Sequence, residues 1–242
     1  MIYTVTFNPA LDYVMNLKEL QYKDINRTES EQLYYGGKGI NVSAILSRLG
    51  VDNIALGFLA GFSGRQIEEM LNAESINNDF VYLKKGYTRI NVKIKADEDY
   101  DINAQGPDIE ADEINALFDK LEKLQNGDFL VLAGSIPNSL PNDIYEEILA
   151  KLQNKGINFA VDATGDLLLN VLKYKPFLIK PNHHELGDIF GVEVKSEYEI
   201  AHYARKLQEM GARNVLVSRS KDGATLIDEN GEVHSMGNVP GK

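Results

Sequence analysis

Short runs that are apolar on both faces, such as Phe129-Leu130-Val131-Leu132, recur between stretches with helical spacing, and this pairing restricts the fold more than any other feature. Successive strand residues point to opposite faces, so a run without a polar member must be covered on both sides. A parallel sheet layered between helices provides that cover. The order of patterns agrees: Ile2–Phe7, a helix from Val42, Ile54–Leu59, helices near Gln66–Leu71 and Ile114–Leu124, then Phe129–Leu132. A helix carrying Tyr145, Ile148, Leu149 and Leu152 follows, then strand Ile157–Val161, a helix near Leu167–Leu172, strand Phe177–Ile179, and a helix from Ser196 with Glu199 completing a capping box. The expected fold class is α/β, a doubly wound, mostly parallel sheet flanked by helices. With 242 residues the chain fits one large domain and a small appendage.

The appendage has its own pattern. Ile90, Val92, Ile94 and Ala96 alternate with Arg89, Asn91, Lys93 and Lys95, so one strand face is apolar and the other polar. Asp97-Glu98-Asp99 then reverses the chain. With Tyr13–Leu17 and Thr28–Tyr35 this predicts a small antiparallel sheet, a β lid of residues 13–35 and 88–105 inserted into a core of residues 1–12, 36–87 and 106–242. Its apolar face needs a cover, either the ligand cleft or a second subunit, and a homodimer through the lid is the expected assembly.

The stretch Gly36-Gly37-Lys38-Gly39-Ile40-Asn41 opens the helix whose apolar residues are Val42, Ile45, Leu46 and Leu49. Glycines admit a ligand close to the backbone, and a helix N-terminus favours negative charge. Gly39 stands where a Walker A loop needs a hydroxyl, and G-x-G-x-x-G spacing is absent; a glycine turn that merely feeds a helix is the competing reading. Ligands of open parallel sheets collect beyond the strand C-termini. Asp12, Gly134-Ser135, Asp162 and Lys180-Pro181-Asn182-His183-His184-Glu185 all follow strand patterns. Asp162 could instead cap a helix, and Asn182 with Glu185 has capping-box spacing.

Composition narrows the partners. The 25 basic and 36 acidic residues give a net charge of −11, which disfavours nucleic acid and anionic membranes, so an anionic ligand must be held by local cations. The absence of cysteine excludes disulfides and thiolate catalysis, and the four histidines lack zinc-ligand spacing. No signal segment or run of ~18 apolar residues is found. A cytoplasmic protein without a membrane partner is expected.

Asp12, Gly36–Asn41, Thr88-Arg89, Gly106-Pro107, Gly134-Ser135-Ile136-Pro137, Asp162 and Asn182–Glu185 occur in the order and approximate spacing of the ribokinase-like carbohydrate kinases, which the chain resembles over its whole length. Within that family it looks most like the branch of 1-phosphofructokinases and tagatose-6-phosphate kinases, and Thr88–Lys93 with Ile102-Asn103 favours the former. The resemblance implies ATP-dependent phosphorylation of a ketose phosphate, fructose 1-phosphate to fructose 1,6-bisphosphate, with ATP and Mg2+ as cofactors. It implies that Asp12 and Asn41 bind sugar hydroxyls, that Gly37 and Gly39 admit the ketose, that Ser135 lies on the substrate side, and that Arg27, Lys38 and Arg89 hold its phosphate. It places Lys180, Asn182, Glu185, Ser218 and Gly223 on the ATP side, with Asn182 and Glu185 positioning magnesium partly through water.

Two departures qualify that carry-over. Where the family places Ser-x-Gly-x-x-Gly, the chain reads Ser218-Arg219-Ser220-Lys221-Asp222-Gly223, and a left-handed Ser220 would cost on the order of 1 kcal/mol. The sequence also reaches Lys242 before the family's G-A-G-D motif, so the general-base aspartate is expected beyond Lys242, no catalytic residue is assigned within the chain, and the 242 residues alone are expected to be inactive. A sugar-phosphate-binding protein without catalysis is the competing class.

Overall fold

A computed structural model describes residues 1–238, which divide into two compact units. The first comprises residues 1–123 and 134–141, the second residues 124–133 and 142 onward. Val239–Lys242, on which the expectation of a longer chain rests, lies outside the described residues.

In chain order the first unit contains β1 (Ile2–Thr6), β2 (Ala10–Asn16), β3 (Ser30–Gly36), α1 (Lys38–Arg48), β4 (Asn53–Ala60), α2 (Gly61–Ala73), β5 (Val81–Leu83), β6 (Arg89–Lys95), β7 (Asp99–Ile102) and α3 (Ala111–Leu121). Strands β1, β4 and β5 pair in parallel, with Thr6 opposite Gly57, as both-faces-apolar runs require. Helix α1 begins four residues before the periodic Val42, because Gly37 and Gly39 let its first turn lie on β1.

The small sheet has the order β3-β2-β6-β7. The antiparallel expectation needs correction here: β2 pairs antiparallel with β3, and β6 with β7, but β2 and β6 run parallel. Both start at the α/β layer and run outward, with Ala10 opposite Arg89 at the root, so only their hairpin partners can return. At that root Ala60 N–H donates to Thr88 Oγ1 (2.9 Å) and Ser63 Oγ to the Thr88 carbonyl (2.6 Å), all buried, which fixes where β6 begins.

Cross-strand register sorts the sheet into two faces. One carries Leu11, Tyr35 and Ile90, which pack against a core cluster including Ile40, Leu59, Ile67 and Leu71. Farther out on the same face Leu33 and Ile102 are exposed, the latter 59%. The other face carries Asp12, Gly36, Arg89, Asn91 and Lys93.

The second unit contains β8 (Phe129–Ala133), α4 (Ile144–Leu152), β9 (Asn158–Asp162), α5 (Gly165–Leu169), β10 (Leu178–Ile179), α6 (His183–Phe190), α7 (Glu197–Glu209), β11 (Asn214–Ser218), β12 (Ala224–Ile227) and β13 (Val233–Met236). Strands β8 to β11 pair in parallel, and β12 and β13 add antiparallel. Ser196 caps α7 in a capping box with Glu199. Asn230-Gly231 makes the last turn, where Asp228 Oδ1 accepts the Asn230 and Glu232 N–H groups. Among the described residues no helix is long and apolar enough to cross a membrane.

Candidate functional site

In the first unit the polar face of the small sheet carries two of the residues expected to hold substrate, Asp12 and Arg89. Asp12, on β2, has its side chain 19% exposed. Asn91 Nδ2 donates to its Oδ1 at 2.8 Å, and Lys93 Nζ lies 3.7 Å from its Oδ2. Asn91 is itself only 5% exposed and accepts the Ala104 N–H through Oδ1 (3.2 Å). A Cβ on Gly36 would stand 3.1 Å from Asp12 Oδ2, so a bare backbone is what keeps the carboxylate open. Asp12 can accept hydroxyl protons while its orientation is fixed from behind.

Arg89 sits beside this carboxylate in a different posture from a solvent-facing phosphate clamp. Its Nε and Nη2 donate to the Asn8 carbonyl (3.2 and 3.0 Å), and its Nη1 to that of Ala104 (3.3 Å). Burial pushes its pKa down and the Asp12 charge opposes that shift. Part of the fork therefore holds the loops at residues 8 and 104, leaving only its outer N–H groups for an anion.

The glycine loop divides by role. Gly37 has φ 127° and caps α1. A Cβ on Gly39 would meet Thr6 Oγ1 at 2.5 Å and the Val5 carbonyl oxygen at 2.7 Å, so this buried glycine is required by packing. Ile40 N–H is taken by Thr6 Oγ1 (2.9 Å). Lys38 and Asn41 are exposed on the first turn, where the dipole favours an anion. Gly134 has φ 109° and brings its backbone beside Lys38, which places Ser135 next to the α1 N-terminus. Arg27, exposed in the segment between β2 and β3, makes no hydrogen bond or ion pair with these groups among the described residues.

In the second unit Asn182 and Ser218 lie side by side through a parallel bridge, and Ser218 N–H donates to the Pro181 carbonyl (3.1 Å). Asn182 caps α6: its Oδ1 accepts the N–H groups of His184 (2.8 Å) and Glu185 (2.9 Å), while Glu185 Oε2 accepts that of Asn182 (2.7 Å). The N-x-x-E motif is thus a complete capping box. Glu185 Oε1 has no protein partner among the described residues, so the donor set still fits a hydrated hard cation reached through one carboxylate oxygen. Lys180 Nζ pairs with Asp162 Oδ2 at 3.2 Å, and Thr164, not Asp162, occupies the N-cap position of α5, without a side-chain cap bond. Gly223 (φ 88°) is demanded by packing, since a Cβ there would run into the Met236 carbonyl.

Ser220 does adopt the left-handed conformation, φ 51°. Ser220→Gly should therefore stabilise the protein by roughly 0.5–1 kcal/mol, read as a higher urea midpoint at unchanged slope. Asn182→Ala should cost about 1 kcal/mol through the lost cap, read in the same titration.

Sequence patterning did not single out Asn91 and Lys93, which contact Asp12, nor Asn8 and Thr6, which hold Arg89 and the start of α1. On an alternating strand the polar face reads as solvent-facing, and only the tertiary pairing shows that this one gathers around Asp12.

Polar groups at strand ends of a parallel α/β fold, with a two-faced small sheet, are the arrangement of a small-molecule site. The profile of the pfkB family carbohydrate kinases matches residues 5–240. A 1-phosphofructokinase of Bacillus subtilis is 44% identical over 240 residues, covering 99% of this chain and 78% of that protein. A D-tagatose-1-phosphate kinase of Bacillus licheniformis is 40% identical over 229 residues, covering 94% and 75%. Phosphofructokinase-2 from Escherichia coli, solved with fructose-6-phosphate, superposes with a TM-score of 0.92 at 26% identity, covering all of this chain and 80% of that one. The chain belongs to the pfkB family of carbohydrate kinases, for which ATP is the phosphate donor.

Proposed function

We propose that the acceptor is a ketose 1-phosphate, fructose 1-phosphate, which the enzyme converts to fructose 1,6-bisphosphate. The observation that carries this reading is the Asp12 carboxylate, anchored by Asn91 and flanked by Lys93 and Arg89 on the polar face of the small sheet. Carboxylate and cations side by side suit a ligand with both hydroxyls and a phosphate. The two relatives named above, one for fructose 1-phosphate and one for tagatose 1-phosphate, favour a C1 phosphate over the tagatose 6-phosphate also considered from sequence.

In this reading Asp12 and Asn41 hold sugar hydroxyls, Lys38 and the α1 N-terminus attract the anion, Gly37 and Ser135 line the approach, and Arg27 closes from its loop. Residues 13–35 and 88–105 act as a lid that excludes water, so that the sugar hydroxyl rather than water is phosphorylated. Lys180, Asn182, Glu185 and Ser218 form the nucleotide side, with Mg2+ held through Glu185 by way of water. Bound ATP and Mg2+ supply the transferable phosphoryl group and neutralise its charge. The exposed Leu33 and Ile102 make the outer lid face a homodimer surface, testable by sedimentation of the protein and of Ile102→Glu.

The deciding experiment measures heats of binding and ADP formation with fructose 1-phosphate, tagatose 1-phosphate, fructose 6-phosphate and tagatose 6-phosphate. A preference for fructose 1-phosphate by tenfold or more is expected. A preference for either 6-phosphate would overturn the assignment.

A further inference from the structure

We infer that Lys93 is a specificity-determining residue that reads the phosphate of the acceptor, a role that rests on the acceptor site proposed at Asp12. Asp12 stands opposite Asn91 and Val14 opposite Lys93 in the parallel β2–β6 register, so the Lys93 ammonium and the Asp12 carboxylate project from one face, a single step apart.

The state of that ammonium is unusual among its neighbours. Lys95, the next residue on the face, is committed to Asp99 at 2.6 Å. Lys93 has a carboxylate directly across the strand pair in Asp101, yet makes no ion pair with it, and it reaches Asp12 only to 3.7 Å, beyond hydrogen-bond range. Its side chain is 31% exposed. A partly buried ammonium with three N–H donors and no hydrogen-bond acceptor among the described residues is poised for oxygen ligands.

Asp12 does not need Lys93 for its orientation, because Asn91 already holds Oδ1 and Gly36 leaves Oδ2 clear. Nor does Arg89 fill the role alone, since much of its fork is turned to the Asn8 and Ala104 carbonyls. A phosphorylated sugar whose hydroxyl bonds Asp12 would place phosphate oxygens within reach of Lys93. The contact would be charge-assisted, and an unphosphorylated sugar could not make it.

The test compares the intact protein with Lys93→Met and Lys93→Arg in binding to fructose 1-phosphate, unphosphorylated fructose and ATP. Lys93→Met should weaken fructose 1-phosphate 10- to 100-fold while leaving fructose and ATP within twofold, and Lys93→Arg should recover most of the loss. Inorganic phosphate should compete with fructose 1-phosphate in the intact protein and at least fivefold less effectively in Lys93→Met. Equal weakening of fructose and fructose 1-phosphate would overturn the inference, since Lys93 would then act only through Asp12. Unchanged fructose 1-phosphate affinity in Lys93→Met would overturn it as well. If Asp12→Asn also leaves fructose 1-phosphate affinity unchanged, it is the acceptor site itself that lies elsewhere.

Discussion

Asp12→Asn should lower the affinity for fructose 1-phosphate by roughly 10- to 150-fold, the equivalent of one hydrogen bond to a charged group, and leave ATP affinity unchanged. The carboxylate is acceptor-only, and its two oxygens have separate duties: Oδ1 takes the Asn91 amide at 2.8 Å, and Oδ2 faces Gly36 and Lys93. An asparagine can satisfy only one of them. If its oxygen stays with Asn91, its amide hydrogens face the Lys93 ammonium and the substrate hydroxyl, and the charge that balances Lys93 and Arg89 is gone. The replacement is isosteric and the site is partly exposed, so the melting temperature should move by only a few degrees. Calorimetric titration with each ligand checks the result. Undiminished sugar-phosphate binding would remove Asp12 from the acceptor site.

Gly39→Ala should destabilise the protein by roughly 3 kcal/mol or more, a fall in melting temperature of about 6–12 °C for a chain of this size. The added methyl would lie 2.5 Å from Thr6 Oγ1 and 2.7 Å from the Val5 carbonyl oxygen, and a strand backbone cannot yield as a side-chain end can. Helix α1 would have to lift from β1, breaking the bond from Ile40 N–H to Thr6 Oγ1. Gly57→Ala should behave alike, because Gly57 has φ 142° and a Cβ there would collide with the Thr6 carbonyl on the adjoining strand. Thermal and urea unfolding measure both. A Gly39→Ala protein of unaltered stability that no longer binds sugar phosphate would mean that this glycine serves the ligand instead.

Gly37 and Gly39 illustrate what could be read in advance. Their spacing marks a helix start, and α1 does begin at Lys38. That both glycines must clear Thr6 of β1, Gly37 its methyl and Gly39 its hydroxyl, depends on a residue more than thirty positions away, and nothing local reveals it. Asn182 and Glu185 were legible as a capping box because the bonds run within four residues. The packing demand on Gly223 was not, because the atom it must clear belongs to Met236 on another strand.

The sequence by itself determined the α/β class, the location of the small sheet, and the family, since apolar runs on both faces, strict alternation, and the Asp12, Gly36–Asn41 and Asn182–Glu185 motifs are all short-range patterns. Tertiary structure alone decided that β2 and β6 run parallel, which brings Asn91 and Lys93 to Asp12 across some eighty residues. It also turned Arg89 toward backbone carbonyls and set the glycine of α1 against β1. Periodicity reports which side of an element is polar, whereas the partner of a polar group is set by register and packing between distant segments.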